Sequence, residues 1–342
     1  MNHFQYQQKK WKSVLETNPS KQEMIDMTNL NELLERMVQK TVETLGIDST
    51  IKPKYELIHK SILSQDGKTE RNNFRVGIAQ IGLSNKGDIL SEHYEEYGEG
   101  LIRLKDESIQ HVKLKVKEMV NRAQIEKVNV LIFPEMSIDL MNKELADDIQ
   151  EFARKYEMVV IPGSFHEQNS KRNLSRVFGP EGVLWEQEKH IPAIIHIDGK
   201  RFIEKIETCR GPKKSIICNT EYGRIAVIIC RDFLDMDLRV ELKNSDPPVD
   251  IIINPAFTPV TADFKAAHFD ARRSIYSYCF FANIAEFGDS LIYSPEKDRV
   301  ERTLPAGEEG LIVKDVNLFQ LRSERKKWEI QNQKSFIQST RN

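Results

Sequence analysis

Long apolar runs are missing from this chain. Among its 342 residues no uninterrupted stretch approaches the ~20 needed to cross a bilayer. The N-terminus, MNHFQYQQKKWK, has no apolar core segment, so no secretory signal is expected there. Cysteine is scarce. Cys209, Cys218, Cys230 and Cys279 show no CxxC spacing and no paired histidines, so no metal site is expected. An excess of either charge is also absent. Lys and Arg number 50 against 52 Asp and Glu, a net charge of −2, and bulk electrostatics give no reason to expect nucleic acid. A cytoplasmic protein with reduced thiols and no membrane contact fits these absences. The length suits one large α/β domain with an attachment, or two modest domains.

What is present is a set of short, β-branched apolar runs that end in reactive side chains. In RIAVIICRDFLD, Ile225–Ile229 read as a strand covered on both faces, and Cys230 follows at once. The carboxyl end of such a strand is where α/β proteins place their chemistry. A cysteine alone is more often inert packing. Two further stretches change that reading. VNVLIFPEMSIDL ends its apolar run at Pro134 and Glu135, and GVLWEQEKHIPAI places Lys189 after a short strand. Alone, each charge would be a solvated loop residue. Together they supply three roles of thiol amide chemistry. A carboxylate moves the proton, a cation holds the oxyanion, and the thiolate forms an acyl intermediate. Cys218, before a turn, and Cys279, in an aromatic run, read as packing.

This set resembles the nitrilase superfamily, the carbon–nitrogen hydrolases with a Glu–Lys–Cys triad. The resemblance runs from about Phe74 to about Phe319. FRVGIAQIGL is similar to the family's opening strand and FPE to its catalytic-Glu segment. IPGSF and RNLSRVFGPEG resemble its next strand, its Asn-bearing strand and its hairpin turn. EKH is similar to the Lys segment, and RIAVIICRDF resembles the nucleophile strand with its Cys-x-Asp pattern. DIIINPAFTP and FFANIAEFGDS resemble the two strands that follow. Each motif is weak alone, but eight in order are specific.

The resemblance implies Glu135 as general base, Lys189 as oxyanion stabiliser and Cys230 as nucleophile. It implies the amide of Arg231 as the backbone oxyanion donor. It also implies a second glutamate that positions substrate or water. Glu204 is the first choice and Glu207 the competing one, because this segment lacks the usual Gly and Pro landmarks. The implied fold is an α/β four-layer α-β-β-α sandwich, often paired into a homodimer or larger homo-oligomer. The implied reaction needs no cofactor and acts on a small-molecule amide-type substrate. Cys-Arg-Asp in place of the Cys-Trp-Glu of true nitrilases favours an amidase- or carbamoylase-like branch. A regulatory or scaffold protein that keeps the fold is the alternative from a different class.

The chain divides into three. Residues 1–72 read as a polar helical extension and linker, with an amphipathic helix over Met27–Ile47. That helix packs on the catalytic domain or docks a partner protein. Residues 73–320 read as the catalytic domain, and residues 321–342 as a polar C-terminal tail. The insertion SNKGDILSEHYEEYGEG is expected at the pocket mouth. Arg272 and Arg273 read as helix-surface ion pairs.

Overall fold

The computed structural model of the chain describes residues 54–63, 69–85, 87–98, 100–197, 200–208, 211–297 and 300–339. The Met27–Ile47 helix and Cys209 lie outside these residues. In the apolar runs, successive side chains enter different cores. Val130 and Ile132 fill the space between two sheets, while Leu131 and Phe133 face an outer helical layer. Ile251 and Ile253 alternate with Ile252, and Phe280 and Ala282 alternate with Cys279 and Phe281, in the same way. A strand buried on both faces must be apolar throughout, which is why these runs are unbroken.

One sheet has the strand order Tyr55–Ser61, Lys213–Thr220, Gly223–Val227, Ile251–Ala256, Tyr278–Asn283, Ser290–Tyr293 and Arg302–Leu304. The other runs Gly310–Asn317, Asn73–Gln80, Val130–Ile132, Val159–Ile161, Arg172–Gly179 and Phe165–Glu167, with Gly182–Glu188 also paired to Arg172–Gly179. The central strands of each sheet are parallel, so their carboxyl ends share one edge. Helices Asp106–Ile125 and Lys143–Lys155 cover the second sheet through Val116, Met119, Val120, Leu145 and Ile149. Helices Met236–Asn244 and Thr261–Ser274 cover the first through Leu238, Leu242, Phe264 and Ala271. The result is the expected four-layer α-β-β-α sandwich. Burying one such Val, Leu or Ile contributes about 1.5–3 kcal/mol, more than a typical cross-strand pair. No helix among the described residues is long and apolar enough to cross a membrane.

Three expectations are corrected. Residues 55–61, assigned to the polar extension, form a strand paired in parallel with Lys213–Thr220. That strand is part of the same sheet as the strand that leads to Cys230. YELIHKS carries charge because an edge strand faces solvent on one side. The C-terminal tail is not simply polar surface. It begins a helix, Leu318–Ser339, whose Leu318, Leu321 and Arg325 are buried. Arg322 and Arg325 converge with Arg224 on fully buried Asp250. Burial opposes the Asp250 carboxylate, but these guanidiniums hold its pKa below the usual range. Finally, Arg272 is buried and sits 4.2 Å over the Phe269 ring instead of on the helix surface.

Candidate active site

Glu135 stands just beyond strand Val130–Ile132, held in place by a backbone crossing. Gly163 adopts φ +77°, and a Cβ there would lie 1.7 Å from the Pro134 carbonyl oxygen. Only glycine lets the two chains pass this closely. The crossing is fastened by the Met136 amide donating to the Ser164 carbonyl at 2.8 Å and the Ser137 hydroxyl donating to the Pro134 carbonyl at 2.8 Å. The Glu135 side chain is thereby sealed from water and takes its hydrogen bonds from protein. Oε1 accepts from Lys189 Nζ at 2.8 Å and Asn173 Nδ2 at 3.0 Å, and Oε2 accepts from the Phe257 amide at 3.0 Å.

Lys189 follows strand Gly182–Glu188 and is 1% exposed. A buried ammonium needs anionic partners. Besides Glu135, it donates to Glu204 Oε2 at 2.8 Å. Burial acts against its charge, yet Glu135 and Glu204 together more than offset this and raise its pKa well above the usual lysine value. Glu204 also accepts from the Ala193 amide at 2.7 Å, Asn173 Nδ2 at 2.9 Å and His166 Nε2 at 2.9 Å. Burial would raise its pKa, but Lys189 and His166 prevail and hold it well below the usual carboxylate range. Of the two candidate second glutamates, Glu204 joins the cluster. Glu207 is exposed, with its amide donating to the Lys171 carbonyl at 2.8 Å.

Cys230 opens a tight 3-10 turn, Cys230–Leu234, and the strand before it ends at Val227, two residues earlier than its apolar run. Its φ is +46°, a left-handed conformation that costs a non-glycine residue about 1–2 kcal/mol. Such strain persists where the surroundings over-determine it. Here Asn254 Nδ2 donates to the carbonyls of Ile228 at 2.6 Å and Cys230 at 3.1 Å. His268, kept neutral by burial with its pKa lowered to about 3, lies 3.1 Å from Asn254 Oδ1 through Nε2. Asp232 ties the turn to the lysine segment by accepting the His190 amide at 2.8 Å and the Ile191 amide at 2.7 Å. Burial raises the Asp232 pKa to about 7, against the pull of those amides and Lys189. Further along, Asp235 caps helix Met236–Asn244 and meets Tyr55 Oη at 3.0 Å and Lys54 Nζ at 2.6 Å.

The thiol itself is 3% exposed. Burial pushes its pKa well above the usual value, and the charge of Glu135 pushes it further, while Lys189 pulls it down. The thiol form is thereby favoured, beside the Glu135 carboxyl group that the proposed proton transfer needs. Arg231 directs its side chain outward, where Nη1 donates to the Pro192 carbonyl at 3.2 Å, and its amide directly follows the cysteine. Cys218 and Cys279 are both buried, and burial outweighs the pull of Lys60 on the first and of Arg272 on the second. Burial raises the Cys218 thiol to about 12 and the Cys279 thiol still higher.

Sequence reasoning brought together Glu135, Lys189, Cys230 and Glu204 but assigned no part to Asn173, His166 or Asp232. Asn173 bridges both carboxylates, and Asp232 is the third residue of the quoted Cys-x-Asp pattern. A lone histidine in a short strand carries no signal of its own.

An α-β-β-α sandwich whose strand ends bring carboxylate, ammonium and thiol together defines a protein of the nitrilase superfamily. The carbon-nitrogen hydrolase family model matches residues 99–326, and the chain belongs to that family. Among solved structures it is similar to the C. elegans NitFhit protein, at 16% identity and a TM-score of 0.58 over 77% of this chain. It spans 65% of the NitFhit chain, less than two thirds of its length. Saccharomyces cerevisiae Nit3, a member of branch 10 of the superfamily, matches at 14% identity and a TM-score of 0.54, over 76% of this chain and 96% of its own. A Glu-to-Gln variant of an amidase from Nesterenkonia sp. AN1 matches at 13% identity and a TM-score of 0.52, over 75% and 99%. In that protein, acrylamide has added to the active-site cysteine. These likenesses show a shared fold. A comparison with curated proteins gives no match.

Proposed function

We propose that this carbon–nitrogen hydrolase cleaves a non-peptide amide or carbamoyl bond of a small molecule through an acyl intermediate on Cys230. The observation that carries the reading is the Lys189 ammonium 2.8 Å from Glu135 and 2.8 Å from Glu204, with the Cys230 thiol close enough to feel the charges of both Glu135 and Lys189. Glu135 takes the thiol proton as sulfur attacks the carbonyl carbon. An ammonium has three donors. Two of them meet the carboxylates, and the third serves the tetrahedral oxyanion together with the Arg231 amide. As the C–N bond breaks, Glu135 returns the proton to the departing ammonia or amine. Water, giving its proton to Glu135, then attacks the thioester and releases the acid and the thiol. Cys-Arg-Asp at the nucleophile supports amides or carbamoyl groups over nitriles.

The test is a panel of small amides and carbamoyl compounds with detection of released ammonia or amine. Turnover of at least one compound is expected, and none of it by Cys230→Ala at unchanged circular dichroism. Equal turnover by the alanine variant would overturn the reading.

A further inference from the structure

We propose that His166 is a positioning residue, fixed by the hairpin of strands Tyr94–Glu96 and Ile102–Leu104, that locks the Glu204 carboxylate and through it Lys189. The inference rests on the functional reading above and deepens it.

The ring is 3% exposed and sits between two fixed partners. Nδ1 lies 2.9 Å from the Ile102 amide, a donor, and 3.2 Å from the Ile102 carbonyl oxygen, while Nε2 lies 2.9 Å from Glu204 Oε1, an acceptor. The carboxylate calls for a hydrogen on Nε2, and the neutral ring that carries it there leaves Nδ1 to accept from the Ile102 amide, the shorter of its two contacts. The amide of the hairpin thus suits the tautomer that donates to Glu204. The same hairpin grips the chain on either side. Tyr97 Oη donates to the His166 carbonyl at 2.9 Å, and the Lys205 amide donates to the Gly100 carbonyl at 3.0 Å. Gly100, at φ +72°, packs so closely that a Cβ would lie 2.7 Å from the Ile203 carbonyl oxygen. The insertion expected at a pocket mouth is therefore bonded to the residue following Glu204 and to the histidine facing it.

The donor count fixes what Glu204 does. Oε1 accepts from His166 and Asn173, and Oε2 accepts from Lys189 and Ala193. A carboxylate offers about four acceptor sites. All are used, which leaves none for substrate or water. Glu204 acts by orienting the ammonium. Removing the His166 donor leaves Oε1 with Asn173 alone, loosens the carboxylate, and shifts Lys189 Nζ from the oxyanion it serves.

Two isosteres separate the two ring nitrogens. In His166→Gln the amide nitrogen reaches the place of Nε2 and keeps the donor to Glu204. In His166→Asn the amide oxygen replaces Nδ1, keeping the Ile102 bond but losing the donor. The glutamine variant is expected within a few-fold of native kcat. The asparagine variant is expected to lose about 10²-fold in kcat with little change in KM, the usual consequence of a misplaced catalytic group. Equal losses in both would overturn the proposal. A second readout does not depend on turnover. Nitrogen-15 spectra of histidine-labelled protein should show His166 as the Nε2–H tautomer, with a resonance that moves in Glu204→Gln. The opposite tautomer, or no response to that substitution, overturns the proposal even in an active enzyme. If no substrate turns over, the functional reading fails and the spectra still decide the geometry.

Discussion

Glu135→Gln is expected to lower turnover by about 10²–10⁴-fold, the range for loss of a general base, while making Cys230 more ionised. The two effects have opposite signs because Glu135 has two influences. It accepts the thiol proton during reaction, and at rest its charge opposes the thiolate. Burial is the largest influence raising the thiol, Glu135 adds to it, and Lys189 counteracts both. Replacing the carboxylate by a neutral amide deletes one anion and leaves the ammonium in place. The thiol pKa must then fall. Titration of thiolate ultraviolet absorbance, corrected with a Cys230→Ala background, should show a lower midpoint in the glutamine variant than in native protein. A higher or unchanged midpoint would show that Glu135 does not govern the thiol. The substitution also leaves a buried donor short of an acceptor, which costs about 1–3 kcal/mol of stability.

Lys189→Met should be damaging in a second way. It removes an oxyanion donor, worth about 10²–10³-fold in kcat. It also leaves Glu135 and Glu204 buried with no ammonium between them, and breaking a buried pair in this way costs about 3–5 kcal/mol. The pH dependence has a defined sign. Despite burial, Lys189 and His166 hold the native Glu204 pKa well below the unfolded value. Its stabilisation is therefore complete above the unfolded carboxylate value of about 4.3 and is lost as pH falls toward the native value. In the methionine variant burial dominates and the Glu204 carboxylate prefers protonation. The variant therefore regains stability on acidification. Urea unfolding should show the widest gap between the two proteins near neutrality, narrowing toward about pH 4. A gap that stays constant with pH would mean the carboxylates do not depend on this ammonium.

The layers of the fold were legible because the central strands bury both faces. VLIF and the three isoleucines Ile251–Ile253 admit no polar residue, and such runs separated by helical patterns define an α/β sandwich. The edge strand Tyr55–Ser61 was hidden by its own solvent-facing charges, and the burial of one face of the C-terminal helix by a sequence whose Arg325 reads as surface until Asp250 is opposite it. The candidate residues drew attention because each lies at or just past the end of a strand-like segment, Cys230 directly after its apolar run. Their supports did not. Gly163 matters through a contact with Pro134, and His166 through Ile102 and Glu204, partners far away in the chain. Contacts of that kind leave no local periodicity. The choice between Glu204 and Glu207 was of the same sort. Both sit in one polar segment, and only the fold turns one inward to Lys189 and the other to solvent.

The central claim is that Cys230 is the reactive sulfur of the chain, governed by Glu135 and Lys189. Peptide mapping by mass spectrometry after exposure to acrylamide tests it most directly. The Cys230 sulfur forms a bond to the terminal alkene carbon, and a proton goes to the adjacent carbon. The account predicts an adduct on Cys230, formed faster in Glu135→Gln than in native protein, with buried Cys218 and Cys279 unmodified. Labelling of Cys218 or Cys279 ahead of Cys230, or no adduct on Cys230 in either protein, would contradict it.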